Sequence, residues 1–185
     1  MKNVFIISIF SFILFACNNG SNENVINDTS TEETVQPAVD TATGMNIVNE
    51  SDERFLKEGA ASILLEVETG QLALQKTNNQ ALKKLSNQVV EERLAIMEEL
   101  KKLSSLKNVT LPTISENQHR ELEDLQKLNA AEFDKEYLSF IIELFEEDTR
   151  KFEKAANSAN SPEIKVFASK SLPTLRKHLD AARSL

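Results

Sequence analysis

Apolar residues fall into two textures along this chain. Residues 4–16 form one nearly uninterrupted apolar run, and from residue 51 onward apolar positions recur every third or fourth residue among charged ones. The second spacing places apolar side chains along one face of an α-helix. Leu56, Ala60, Ile63, Val67 and Leu74 predict a helix over 52–76, with Ser51 as its N-cap and Asp52 and Glu53 in the first turn, where the helix dipole favours acids. Thr77-Asn78-Asn79 ends it. Leu82, Leu85, Val89, Ile96, Leu100 and Leu103 predict a second helix over 80–106, followed by a loop from Asn108 to Thr113 that contains Pro112. Ser115 with Gln118 has capping-box spacing and opens a short helix over 116–128. Asn129 with Glu132 repeats that spacing before a long helix over 130–157, whose apolar face is Phe133, Tyr137, Phe140, Ile141, Leu144 and Phe152. After the turn Asn157–Asn160, Ser161-Pro162 pairs an N-cap with a proline at the first helical position. The last helix carries Ile164, Phe167, Leu172, Leu175 and Leu179, and Pro173 inside it is expected to kink or split it.

These elements define an all-α class. Residues 51–185 are expected to fold as one antiparallel four-helix bundle with one extra short helix, since short connections make neighbours antiparallel. The whole chain has four glycines, four prolines and no tryptophan, which leaves little material for the turns of a β architecture. No heptad register persists across the breaks, so a long coiled coil is not expected.

The apolar run at the start has a different meaning. Met1-Lys2-Asn3 places one positive charge before it, and Asn18-Asn19-Gly20-Ser21-Asn22 follows it. A charged start, a short apolar run and a small residue make a secretory signal, and a spanning helix needs about 20 apolar residues. Leu14-x-Ala16-Cys17 resembles a bacterial lipoprotein signal. That resemblance implies a signal peptide over 1–16, cleavage before Cys17 and lipid on the Cys17 sulfur, with the membrane as partner. The alternative is an ordinary cleaved signal with a thiol nearby. Asn18, where an aspartate would favour the inner membrane, implies the outer membrane by the same resemblance. Cys17 is the sole cysteine, so no intramolecular disulfide can form.

Residues 17–50 are expected to be a disordered acidic linker. They hold Glu23, Asp28, Glu32, Glu33, Asp40 and Glu50, no lysine or arginine, and too little apolar area to repay the entropy of folding. A flexible coil of this length reaches on the order of 30 Å. Asp40-Thr41-Ala42 resembles a glycan acceptor of some bacterial envelopes. The net charge is −8, and loss of residues 1–16 removes Lys2 and no acid, leaving −9. Such a chain is a poor nucleic-acid binder.

Phe55, Glu66-x-x-x-Gly70-x-x-Ala73, Phe133-Asp134-x-x-Tyr137-Leu138 and Leu172-Pro173-x-Leu175-x-x-His178-Leu179 together resemble a bacterial envelope family, the domain of unknown function 4142 family. The resemblance covers about residues 52–185. It implies a ferritin-like four-helix bundle in the envelope and, through histidines inside the bundle, metal chemistry. Two positions where the family carries histidine are Arg93 and Phe145 here, which leaves His178.

The residues support little catalysis. A di-iron bundle needs a glutamate from each of two helices and Glu-x-x-His from each of the other two. Glu116-Asn117-Gln118-His119 is the only such quartet, and the chain has two histidines, so the full site cannot be built and no cofactor is expected. No nucleophile turn or phosphate loop is present. Glu66, Glu92, Arg93, Asp148 and His178 lie on or beside the apolar stripes. They form either a polar pocket for a divalent ion or small polar ligand, or an internal salt-bridge network in which Arg93 neutralises a carboxylate. Gly59 and Gly70 lie in the first helix on a stripe with Ser62, Glu66 and Ala73, where glycine costs about 1 kcal/mol relative to alanine. Close helix approach or a bound ligand would account for them. Glu98 is expected to pair with Lys102 one turn on. The functional expectation is an envelope-anchored, non-enzymatic binding or structural module with a protein or glycan partner. The alternative is a degenerate ferritin-like metal binder.

Overall fold

A computed structural model describes residues 48–185. The signal peptide, Cys17 and all but the last three residues of the expected linker lie outside the described residues. Five helices and no strands occur among those described: α1 (Glu50–Lys76), α2 (Gln80–Leu106), α3 (Glu116–Lys127), α4 (Ala130–Ser158) and α5 (Pro162–Arg183). At 27 residues, α1 and α2 are each about 40 Å long.

Caps explain most boundaries. Asn79, Ser115, Asn129 and Ser161 each turn a side-chain oxygen onto the free N–H groups of the following helix, and Ser115 forms the reciprocal capping box with Gln118. The first helix differs from expectation. Its N-cap is Asn49, whose Oδ1 accepts from Asp52 N–H at 2.9 Å, so α1 starts at Glu50 and Ser51 lies within it. Asp52 instead turns inward and accepts from the N–H groups of Asn160 and Ser161, at 3.0 and 2.7 Å, at the start of α5. Nor does Pro173 split the last helix, which runs unbroken from Pro162 to Arg183. Both Pro173 and Ser169, whose carbonyl loses its partner, are exposed, so water can take the freed bond. Asn108 ends α2 at φ 55°, a left-handed position that asparagine tolerates.

The four long helices form an antiparallel bundle in the cyclic order α1, α2, α5, α4. The end of α4 meets the start of α1 through Asp52, and the end of α2 meets the start of α5 through Lys107 and Glu163 at 3.0 Å. The short α3 lies across α1 and α4 at the opposite end. Two apolar clusters fill the interior. One, near the N-terminus of α1, contains Leu56, Ile63, Met97, Leu100, Phe152, Ile164 and Leu175. The other, near α3, contains Ala73, Leu82, Val89, Phe133, Tyr137, Phe145 and Leu179. Ile96, Leu74, Phe140 and Leu144 are only half-buried, while Met97 and Phe145 take fully interior places. No described helix is long and apolar enough to cross a membrane.

Candidate functional site

Each long helix changes from apolar to ionisable where the two clusters meet. Along α1 the sequence passes from Ile63 through Glu66 and Thr69 to Ala73, and along α2 from Val89 through Arg93 to Met97. In α4 it passes from Phe145 through Asp148 to Phe152, and in α5 His178 stands between Leu175 and Leu179. A polar layer therefore crosses the bundle between two apolar blocks. Helical periodicity alone puts these positions inward, since each lies three or four residues from its apolar neighbours.

Glu66, Arg93, Asp148 and His178 are all closed to solvent. Arg93 Nη2 donates to Glu66 Oε1 at 3.1 Å, and Arg93 Nε lies 2.5 Å from Glu66 Oε2. Ser62 Oγ donates to Asp148 Oδ1 at 2.6 Å, and Lys151 Nζ lies 3.8 Å from the same oxygen. The Arg93 guanidinium lies over the Phe145 ring, 5.3 Å from its centroid, and the same ring is 5.8 Å from the His178 ring. Below this, Ser86 Oγ and Tyr137 Oη share a 2.9 Å hydrogen bond. Arg93 Nη1, Asp148 Oδ2 and Thr149 Oγ1 have no hydrogen-bonding partner in the protein.

Burial governs the protonation of this layer. It lifts Glu66 to about 8 against the opposing pull of Arg93, and it raises Asp148 as well. Two carboxyl groups face one fully buried cation, so holding a proton on the pair keeps the layer near neutrality. Burial, aided by the charge of Arg93, drives His178 down to about 4 and so keeps the imidazole neutral. Glu92 is the outermost member, with 34% of its side chain exposed. Its Oε2 lies 3.1 Å from His178 Nε2 and its Oε1 accepts from Lys177 Nζ at 2.6 Å. Partial burial pushes Glu92 up, but Lys177 and His178 together outweigh it and hold the carboxyl below the usual carboxylate range.

All five residues singled out in the sequence thus meet in one layer, four inside it and Glu92 at its edge. Ser62 and Tyr137, read above only as stripe positions, join them, together with Ser86, Lys151 and Lys177, which were not singled out. Small or amphipathic residues at stripe positions were the available signal. The Glu116–His119 quartet lies exposed on α3, away from the layer. Glu98 pairs with Lys101 at 2.9 Å rather than with Lys102. The two helix glycines differ: a methyl group at Gly70 would lie 2.8 Å from Val90 Cγ2, whereas at Gly59 the nearest atom would be an ordinary 3.5 Å away. Close approach of α1 to α2 therefore accounts for Gly70 and does not account for Gly59.

Among the described residues, no group of three or more His, Cys, Asp or Glu side chains is set to hold a metal ion. Soft donors are also scarce there: Met97 is buried in the apolar cluster, His119 lies on α3, and His178 lies beside a guanidinium.

A family profile described as "Domain of unknown function (DUF4142)" matches residues 36–185. The chain resembles a solved DUF305 fragment from Deinococcus radiodurans at TM-score 0.66 and 12% identity, over 75% of this chain and 96% of that one. It also resembles CopM in an Ag-bound form obtained by soaking, at TM-score 0.61 and 16% identity, over 72% and 92% of the two chains. CopM in its Cu(I)-bound form gives TM-score 0.62 at 16% identity, over 72% and 93%. At these identities the likeness bears on the helical fold alone. No curated protein gives a significant match.

Proposed function

The chain belongs to the DUF4142 family, and from that premise we propose that it is an envelope lipoprotein, held through lipid on Cys17, whose bundle is a non-enzymatic binding or structural module. The observation that carries the module reading is the closure of the ionisable layer. Glu66, Arg93, Asp148 and His178 have no solvent access, and Arg93 satisfies a carboxylate from within the protein. A catalytic or binding constellation must present its groups to a substrate. This one presents them to each other, so binding falls to the outer faces of the helices. The anchor rests on Leu14-x-Ala16-Cys17 and on the apolar run before it. In the native host, labelled palmitate should enter the wild-type chain and not the Cys17→Ser variant, and only the wild type should remain with the membrane fraction. Equal labelling, or membrane retention of the variant, would sink the anchor.

A second reading is favoured by the CopM structures with Ag and Cu(I): a degenerate ferritin-like metal binder at the envelope. The donor set weighs against it. Cu(I) and Ag(I) prefer thiolate, thioether and imidazole, and the described bundle holds one methionine and two histidines. A hard divalent cation would need the carboxylates of Glu66 and Asp148, where Arg93 keeps a permanent positive charge. Metal analysis of the purified protein after anaerobic loading should give well under one equivalent. One tightly held equivalent would establish the second reading instead.

A further inference from the structure

We propose that the groove between α3 and the first half of α4 docks a basic, amphipathic helix of a partner protein. The inference rests on the reading of the bundle as a binding module, and it names the surface and the partner's chemistry. Leu125, Leu128 and Phe140 form the apolar floor of this groove. Leu125 is the one buried residue of α3, which leaves Leu122 and Leu128 half-buried on the apolar side of a 12-residue helix. Phe140 is half-buried on α4. A helix as short as α3 depends on the packing of its apolar face, and the fold covers only part of that face.

The two walls carry the same register. On α3, Glu121, Asp124, Leu125 and Leu128 line the groove at intervals of three, one and three residues. On α4, Glu136, Ser139, Phe140 and Glu143 repeat those intervals. Each stripe runs along one face of its helix for two turns, about 10 Å. Two such stripes lining one groove form a seat for a third helix, whose apolar residues enter at helical spacing.

Charge identifies the occupant. Glu121, Asp124, Glu136 and Glu143 line the groove, and no base among the described residues does. Asp124 is paired with Lys127 at 2.8 Å, whereas Glu121, Glu136 and Glu143 stand in no ion pair among the described residues. The surrounding sequence does not compensate them. Residues 116–143 hold eight acids against Arg120, Lys127 and Lys135, a net charge of −5, and Arg120 donates to Asn117. The rest of the bundle, residues 51–115 and 144–185, holds fifteen acids and seventeen bases, a net charge of +2. The unbalanced charge of the bundle is thus gathered at this face. The groove that Leu106 and Val166 share differs, because its Glu99 and Glu163 are paired with Lys170 and Lys107. Free carboxylates around an apolar floor suit a helix with lysines or arginines beside an apolar stripe. They repel an anionic bilayer, the same face of a second copy, and residues 17–50, whose charged side chains are all acids. A small oligocation would answer the carboxylates and leave the floor uncovered.

Photocrosslinking in the native host tests it. Benzoylphenylalanine is placed in the full chain at exposed Ser139 in this groove and, in separate chains, at exposed Lys154 and Val166 in two other grooves. Residue 139 should trap a protein, and the mapped crosslink should lie in a segment with a net positive charge and apolar residues at helical spacing. Glu121→Lys/Glu136→Lys should lower that yield at least tenfold. Glu58→Lys/Glu91→Lys makes the same change of charge at exposed positions elsewhere and should leave the yield within twofold. All four acids are exposed, so neither double variant disturbs the core. A synthetic peptide of the mapped segment should bind the purified full chain, at least tenfold more weakly after Glu121→Lys/Glu136→Lys. Crosslinks from residue 139 to lipid, to a second copy or to a segment without net positive charge overturn the proposal. So does a yield that survives the groove substitutions or falls equally with the control pair. A partner trapped at residue 154 or 166 and not at 139 overturns the groove alone. No partner at any of the three positions overturns the module reading with it.

Discussion

Arg93 and Glu66 face each other inside the bundle with no solvent access to either side chain, Nε 2.5 Å from Oε2. A buried pair is worth little in net stability, because the cost of desolvation offsets the attraction, but losing one partner strands the other. Arg93→Met should therefore destabilise the bundle by about 1–3 kcal/mol near neutral pH, where Glu66 keeps its proton and is left as an unpaired buried polar group. The double variant Arg93→Met/Glu66→Met should recover most of that loss. Denaturant midpoints of the two single variants and the double variant measure the coupling, and simple additivity would mean that the pair does not act as a unit.

The same layer sets a pH dependence. Glu66 is raised from 4.5 to about 8, so between those values the folded protein holds a proton that the unfolded chain has released. That contribution is fully present below 4.5 and is lost as pH rises through 8. Asp148, also raised, has the same sign. His178 has the opposite one. Lowered from 6.5 to about 4, it stays neutral where the unfolded chain is protonated, so its contribution is lost as pH falls from 6.5 to 4. The two oppose each other below 6.5, and above it the carboxyl contribution stands alone. Stability should fall from pH 6.5 to 8 by on the order of 1 kcal/mol. In the Glu66→Gln variant this slope should largely vanish, and an unchanged slope would place the proton elsewhere.

The helix glycines should respond in opposite directions. Gly59→Ala adds a methyl group at ordinary contact distance and removes a flexible residue from a helix interior, so it should stabilise by about 0.5–1 kcal/mol. Gly70→Ala forces its methyl group against Val90, and overpacking of this kind costs about 1–3 kcal/mol. Thermal melts of the two variants decide it. Equal shifts would mean that α1 and α2 separate freely.

Asp52 ties two chain segments 108 residues apart by accepting from Asn160 and Ser161. Asp52→Ala should cost about 1–2 kcal/mol, the upper range for a lost cap, because the donors are partly buried. Hydrogen exchange should quicken first at the amides of Asn160 and Ser161. Uniform quickening through α5 would instead show that the whole helix depends on this contact.

Much of this was legible from local chemistry. Helix number, order and most boundaries follow from apolar spacing and from Asn79, Ser115, Asn129 and Ser161, because a cap acts within three residues of itself. Glu66, Glu92, Arg93, Asp148 and His178 were visible for a related reason: ionisable groups on an apolar stripe must find partners inside the fold. Ser51 was misread as the first cap because Asn49, two residues earlier, has the same capping chemistry; Asp52 does lie in the first turn, but the amides that it serves belong to α5. Pro173 does not split its helix, because tolerance of such a proline depends on whether the freed carbonyl faces water, which the sequence does not show.

The chain alone determined a bundle of five capped, amphipathic helices and the presence of charge within its stripes. Tertiary structure decided that Glu66 takes Arg93 while Asp148 takes Ser62, that Gly70 is required and Gly59 is not, and that Leu106 and Val166 share one groove. The physical reason is range. Capping and periodicity act over one helical turn, whereas pairing, close approach and exposure depend on which faces of different helices meet, and that depends on how the whole bundle packs.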